Sequence, residues 1–222
     1  RPRRLRRADR MIAGSPTRAA VAAFYDEAAS HWGDVDAVSA ERVEVTSRLL
    51  EGRPPRGDVL EVGCGNGAVC RRLSQWGVAR VTGVDLSGVS VERACTRTPP
   101  GVEFHVADAC DEALATVVAH RAPFDLVLFC DSLEHVLDMS VALRNAVKLL
   151  APGGDLGLTF PHPELRRRVG LDGQPTDHVV DLDWLSELLG GLELSKVHEF
   201  GYGDFWPGGY TTYWACLWTK AR

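Results

Sequence analysis

The chain predicts an α/β fold: a doubly wound, seven-stranded, mostly parallel sheet whose last strand runs antiparallel, with two helices ahead of the first strand. Three observations carry this. Apolar strand-like runs and amphipathic helical segments alternate between residues 57 and 160, the pattern of repeated βα units. The run Phe124-Asp-Leu-Val-Leu-Phe-Cys130 is almost wholly apolar, as expected of a central parallel strand covered on both faces. The last two strand-like segments, 192–200 and 210–219, are joined by too few residues for a parallel crossover, so they pair antiparallel.

In chain order, residues 17–31 carry helical spacing (Ala20, Phe24, Ala28) after the start signal Ser15-Pro16. A second helix over 36–51 stops at Gly52 and Pro54-Pro55. Strand 57–62, helix 67–76, strand 80–85, helix 88–96 and strand 102–107 follow. A short helical piece near 111–119 precedes strand 124–130, helix 138–150 and strand 154–160. Residues 161–180, with Pro161, Pro163, Arg166-Arg167-Arg168 and Gly170, form an irregular excursion holding a short helix, before helix 181–190 and the closing strands. The expected organisation is a flexible tail over 1–14 and a single domain over 15–222. That domain divides into 15–52, a core over 57–160, and a substrate-side portion over 161–222.

The first strand runs through Glu61 into Gly63-Cys64-Gly65-Asn66-Gly67. Glycines let the backbone turn sharply and approach a ligand closely. Such a loop lies beyond the carboxyl ends of the strands, where open α/β sheets bind ligands. Asp85, 22 residues after Gly63, ends the next strand and is placed to accept from two ribose hydroxyls. The pocket therefore suits an adenosine-like cofactor. Gly63, Gly65 and Ala68 also fit a dinucleotide pattern, but Glu61 beside the loop would repel a pyrophosphate and favour a cationic amino-acid group.

The stretch Glu61-Val-Gly-Cys-Gly-Asn-Gly67, Asp85, Asp108 and the Pro152-Gly153-Gly154 turn resembles the class I S-adenosylmethionine-dependent methyltransferases over roughly residues 20–220. In motif the chain is nearest to the ubiquinone-pathway and type 11–12 small-molecule O-methyltransferases. The resemblance implies a Rossmann-like sheet covered by N-terminal lid helices, and conversion of S-adenosyl-L-methionine to S-adenosyl-L-homocysteine. It implies that Glu61 and Gly63 lie near the methionine portion, with Cys64, Gly65, Asn66 and Gly67 forming the loop. Asp85 would hold the ribose, Leu86 would pack on the adenine, and Asp108, beside Ala109, would accept from the adenine amino group. Cys130 would border the sulfonium, and Tyr25 would be a lid residue. Two ordinary roles compete: Asp108 as a helix N-cap and Tyr25 as simple helix packing.

Methyl transfer asks the protein to align the acceptor, exclude water and remove a proton. Asp131, Glu134 and His135 follow the fourth strand at the pocket mouth, and on an α-helical turn they would share a face. His135 then serves as a general base oriented by a carboxylate. Alternatively Asp131, Glu134 and His135, joined by His178 from Asp177-His178, bind a divalent metal such as Mg, which would acidify the acceptor oxygen. Ubiquinone-pathway enzymes and small-RNA 3′-terminal 2′-O-methyltransferases share an acidic-x-x-Glu-His turn and a later His. Asp131 stands in place of their usual Glu, a shorter ligand. A purely structural turn is the third reading.

Composition narrows the partners. Six of the 25 basic residues fall within the first ten positions with one of the 30 acids, leaving a body with a net charge near −10. An acidic body argues against a large nucleic-acid footprint. The aromatic, glycine-rich stretch from Phe200 to Tyr210 suits an apolar or aromatic small-molecule acceptor, and His162 is a candidate contact for it. The six cysteines form no CxxC pair or disulfide framework, and no run approaches 18 apolar residues. We expect a cytoplasmic monomer or homodimer without a membrane span, methylating a small-molecule hydroxyl. The alternatives are a metal-dependent RNA 3′-terminal ribose 2′-O-methyltransferase and a catalytically inactive methyltransferase-like binding protein.

Overall fold

A computed structural model describes residues 16–31, 37–55, 57–162, 174–202 and 211–222. The helices are α1 (Arg18–His31), α2 (Ala37–Leu49), α3 (Ala68–Gln75), α4 (Gly88–Cys95), α5 (Ala113–Val117), α6 (Met139–Leu149) and α7 (Leu182–Leu188). The strands are β1 (Val59–Val62), β2 (Val81–Asp85), β3 (Val102–Val106), β4 (Phe124–Cys130), β5 (Leu150–Pro161), β6 (Leu192–Tyr202) and β7 (Thr211–Lys220). They form one sheet in the order β3-β2-β1-β4-β5-β7-β6. β1 to β5 pair in parallel, and β7 runs antiparallel to both β5 and β6. This is the predicted doubly wound sheet with one reversed strand.

Period-two alternation divides the core. Along β4, Leu126, Leu128 and Cys130 face α2, α3 and α4, whereas Val127 and Phe129 face α5, α6 and α7. Local caps set the helix starts: Ser87 accepts from the Ser90 N–H, Asp138 from Val141, and Asp181 from Asp183 and Trp184.

The main difference from expectation is at β5, which starts at Leu150 rather than 154. Leu150 pairs with Phe124 and Asp155 with Leu126, so the Pro152-Gly153-Gly154 stretch is taken up as an irregularity within the strand, with Gly153 at φ +78°. α5 is also shorter than the 111–119 expected. The Arg-rich tail, Arg166-Arg167-Arg168 and the short helix expected there, and residues 203–210 of the aromatic stretch lie outside the described residues. Among the described residues, no helix is long and apolar enough to cross a membrane.

The chain order reverses between β1 and β4: β2 and β3 extend one way, β5 the other. Open α/β sheets bind ligands at such a switch point, beyond the carboxyl ends of the strands, and the sequence motifs lie at those ends.

Candidate functional site

The loop after β1 is tight because its glycines permit what side chains would forbid. Gly63 lies at φ +77°, and a Cβ there would fall 2.5 Å from that of Ser132; Gly67, also at +77°, would meet the Phe104 ring at the same distance. Gly63 and Cys64 donate to the Val84 carbonyl at 2.8 and 3.0 Å, tying the loop to β2. Asp85 completes the tie. One carboxylate oxygen accepts from the Gly65 N–H and the other from the Ser87 N–H, both at 2.8 Å. Burial raises the Asp85 pKa, opposed by these N–H groups. Each oxygen keeps a lone pair for a further donor. Asn66 accepts from the Ala68 N–H at 3.2 Å, and Leu86 is half-buried beside Asp85.

Asp108 is not the N-cap of α5, which begins five residues later. It accepts from the Cys110 N–H at 2.8 Å, and Arg18 of α1 reaches within 3.3 Å of its other oxygen. Neighbouring Ala109 is buried, and its carbonyl accepts from Asn145. Asp26, also on α1, accepts from the Ser87 hydroxyl at 2.6 Å and the Val89 N–H at 3.1 Å. α1 thus lies across the rim, bound to the starts of both loops.

Beneath the glycine loop sits Glu61, only 1% exposed. The β1 alternation turns it toward α2 and α3, where the Cys70 thiol donates to it at 2.8 Å. Burial pushes its pKa up to about 7, opposed by the Cys70 hydrogen bond and the Arg42 charge. Burial also raises the Cys64, Cys70 and Cys130 pKa values, which disfavours the thiolate at each. Cys130 shares a hydrogen bond with Thr46 at 3.2 Å.

The β4 exit departs from the α-helical turn expected. Asp131 takes φ +53°, unusual for a residue with a side chain, and Leu133–His135 form one 3-10 turn. Arg42 of α2 holds the kink: its Nη2 donates to the Asp131 carbonyl at 2.7 Å, and its Nε lies 3.6 Å from the Asp131 carboxylate. Its guanidinium also borders the glycine loop, since a Cβ on Gly65 would lie 3.6 Å from Nη1. Residues 174–178 are stitched to this turn. The Thr176 hydroxyl donates to the His135 carbonyl, and the His178 N–H donates to that of Glu134 at 2.8 Å. The Tyr25 hydroxyl donates to Gln174, and its ring centroid lies 6.3 Å from that of His135.

His135 Nδ1 lies 3.2 Å from the Thr176 carbonyl. A carbonyl only accepts, so Nδ1 carries the proton and Nε2 holds the lone pair. Burial lowers the His135 pKa, with Asp131 and Asp177 opposing. Asp177 is 4.0 Å from Nδ1 and fully buried Glu134 is 3.9 Å from Nε2.

The structure brings Tyr25, Asp131, Glu134 and His135 to one mouth but does not gather the expected metal donors. Among the described residues, one set of three or more His, Cys, Asp and Glu ligand atoms lies within 4.8 Å of each other, and it excludes Asp131, Glu134, His135 and His178. The reasons are the left-handed kink, which ties Asp131 to Arg42, and the His178 ring, whose Nε2 lies 2.9 Å from the Val136 carbonyl. These residues do not fit a divalent ion. Sequence reasoning missed Arg42, Asp26, Gln174 and Thr176. Each is an ordinary polar residue in its own segment, and its role arises only through packing.

Residues 37–187 match a family model described as a methyltransferase domain. A 27-O-demethylrifamycin SV methyltransferase of Amycolatopsis mediterranei is 37% identical over 139 residues, 58% of this chain and 49% of the relative. A ubiquinone biosynthesis O-methyltransferase of a Caulobacter species is 38% identical over 97 residues, covering 43% and 37%. The chain thus spans half or less of the length of these relatives. Among solved structures, the N-methyltransferase NodS of Bradyrhizobium japonicum with S-adenosyl-L-homocysteine matches at TM-score 0.65 and 21% identity, covering 82% of this chain and 87% of that one. The cyclase SpnF matches at TM-score 0.67 and 20% identity, covering 93% and 97%. These two show the shared fold alone, which hosts more than one reaction.

Proposed function

Because the chain belongs to the methyltransferase-domain family, we propose that it is an S-adenosylmethionine-dependent methyltransferase that methylates a hydroxyl of a small-molecule acceptor. The observation that carries the chemical step is the fixed tautomer of His135: Nδ1–H held on the Thr176 carbonyl, Nε2 left basic, and burial keeping the ring neutral near pH 7. When bound, the cofactor supplies a methyl group already activated on a sulfonium and leaves as S-adenosyl-L-homocysteine.

The residues present fit that cofactor. Asp85 keeps lone pairs for two hydroxyls while its other pairs hold the Gly65 and Ser87 N–H groups. An α-amino-acid group bears an ammonium and a carboxylate, and Glu61 and Arg42 offer the complementary charges at one end of the loop. Asp108 would take the adenine amino group, with Leu86 and Ala109 beside it. Helix α1, carrying Tyr25, would cover the bound cofactor as part of a lid over residues 15–52, within one domain spanning 15–222.

His135 Nε2 would take the proton of the acceptor hydroxyl as that oxygen is methylated. Asp131 and Asp177 then stabilise the imidazolium, as their charges already oppose the lowering of its pKa. The names of the relatives from Amycolatopsis and Caulobacter support an oxygen acceptor on a small molecule. The metal-dependent RNA reading loses its support, because its donors are not gathered.

Calorimetry tests the cofactor half. We expect S-adenosyl-L-homocysteine to bind the chain and NAD not to, and Asp85→Ala to lose the binding while circular dichroism stays that of the folded protein. Binding of NAD instead would overturn the reading.

A further inference from the structure

At the edge of the sheet, on and beside β3, Glu103, His105 and His120 stand together with no part in the chemistry above. β3 is an edge strand, and Glu103 and His105 are two residues apart on it, so they share a face. His120 arrives from the turn after α5. One carboxylate oxygen of Glu103, Oε1, lies 2.7 Å from His120 Nε2 and 3.4 Å from His105 Nε2, and the three ligand atoms all fall within 4.8 Å of one another. His105 Nε2 is buried and makes no hydrogen bond among the described residues.

We propose that Glu103, His105 and His120 form a binding site for a divalent transition-metal ion of the zinc type, separate from the methyl-transfer site. Ligands at 2.0–2.2 Å in a tetrahedron stand about 3.3 Å apart, so the observed spacings need shifts of well under an ångström to the first two positions. Two imidazoles and one carboxylate select zinc, copper or nickel over magnesium or calcium, which prefer all-oxygen shells. The carboxylate is held ready. Thr82 donates to Oε1 at 3.1 Å and Arg121 to Oε2 at 3.1 Å, orienting Glu103 as outer partners orient metal ligands.

Binding has identifiable costs. The His120 Nε2–H that now donates to Glu103 must give up its proton, which moves to Nδ1 in the other tautomer. Arg121 cancels the carboxylate charge, and the ion would meet a neutral protein surround. Affinity should therefore be micromolar rather than that of a closed structural zinc site. Three protein ligands leave a fourth position for water. The ion would clamp β3 to the turn after α5, and β3 leads within two residues of its end to Asp108.

The test is titration of the tag-free full chain with Zn²⁺ by calorimetry, and with Co²⁺ by visible absorption. We expect one equivalent bound and a tetrahedral Co²⁺ spectrum. His120→Ala, at a half-exposed side chain, and His105→Ala should each weaken binding by at least about tenfold. His178→Ala should leave it unchanged. Binding that survives in the doubly substituted chain, or that is lost in His178→Ala instead, would overturn the proposal. So would failure to bind one equivalent of either ion.

Discussion

The two walls of the candidate site are built in opposite ways. On the β1–β2 side, the glycine loop and Asp85 are joined by backbone N–H groups across adjacent parallel strands. On the β4 side, the mouth is assembled from α2, the 3-10 turn, residues 174–178 and Tyr25 of α1, which are remote in sequence. The first wall is a fixed shape that tolerates little change. The second is a set of side chains whose alignment depends on packing elsewhere, which suits a site that must match a particular acceptor.

Breaking the first wall should have the largest effect. Gly63→Val places a branched side chain into Ser132 at φ +77°, and we expect S-adenosyl-L-homocysteine binding to vanish in calorimetry, with the folded state destabilised by about 2–4 kcal/mol. A variant that binds normally would show the loop to be looser than its geometry. Breaking the second wall should spare binding but not chemistry. His135→Ala should reduce kcat by about 100-fold or more with cofactor affinity within a factor of two. In the parent protein the acid limb of the kcat profile should lie below pH 6.5, because His135 must be neutral and burial lowers its pKa. Unchanged turnover would remove His135 from the reaction.

A smaller effect sharpens the contrast from below. Glu61 has a folded pKa of about 7 against a reference value of 4.5. The folded state therefore holds this proton more tightly than the unfolded one. The resulting contribution is fully present below pH 4.5 and is lost as the pH rises through 7, an amount of up to about 3 kcal/mol. Denaturant midpoints at pH 5.5 and 8 should show the ligand-free parent losing more stability than Glu61→Gln over that interval. Equal losses would mean that Glu61 is solvated and ionised throughout.

What could be read in advance follows the same division. The sheet, its reversed strand and most element bounds were legible, since hydrophobic periodicity and glycine spacing are local signals. The start of β5 was not, because the pairing of Leu150 with Phe124 across a bulge leaves no periodic trace. At the site, the loop and Asp85 could be named from spacing. Arg42 could not, since nothing in Ala37–Leu49 distinguishes it from Arg48, which instead pairs with Glu44 within the helix. The supposed ligand His178 was visible as a residue type, but its ring is turned by the Val136 carbonyl. The helical turn expected at Asp131 is replaced by a left-handed kink, although the residue still reaches the same mouth as Glu134 and His135.

That kink has a further consequence. A residue with a Cβ held in left-handed geometry gives up about 1 kcal/mol relative to glycine, so glycine at position 131 would relax the backbone there. The same replacement would remove the anion that Arg42 faces. Leaving that largely buried guanidinium without its anion costs more than the relaxed backbone returns, so an acid at position 131 serves the fold as well as the site, and a screen for heat-tolerant variants should retain it.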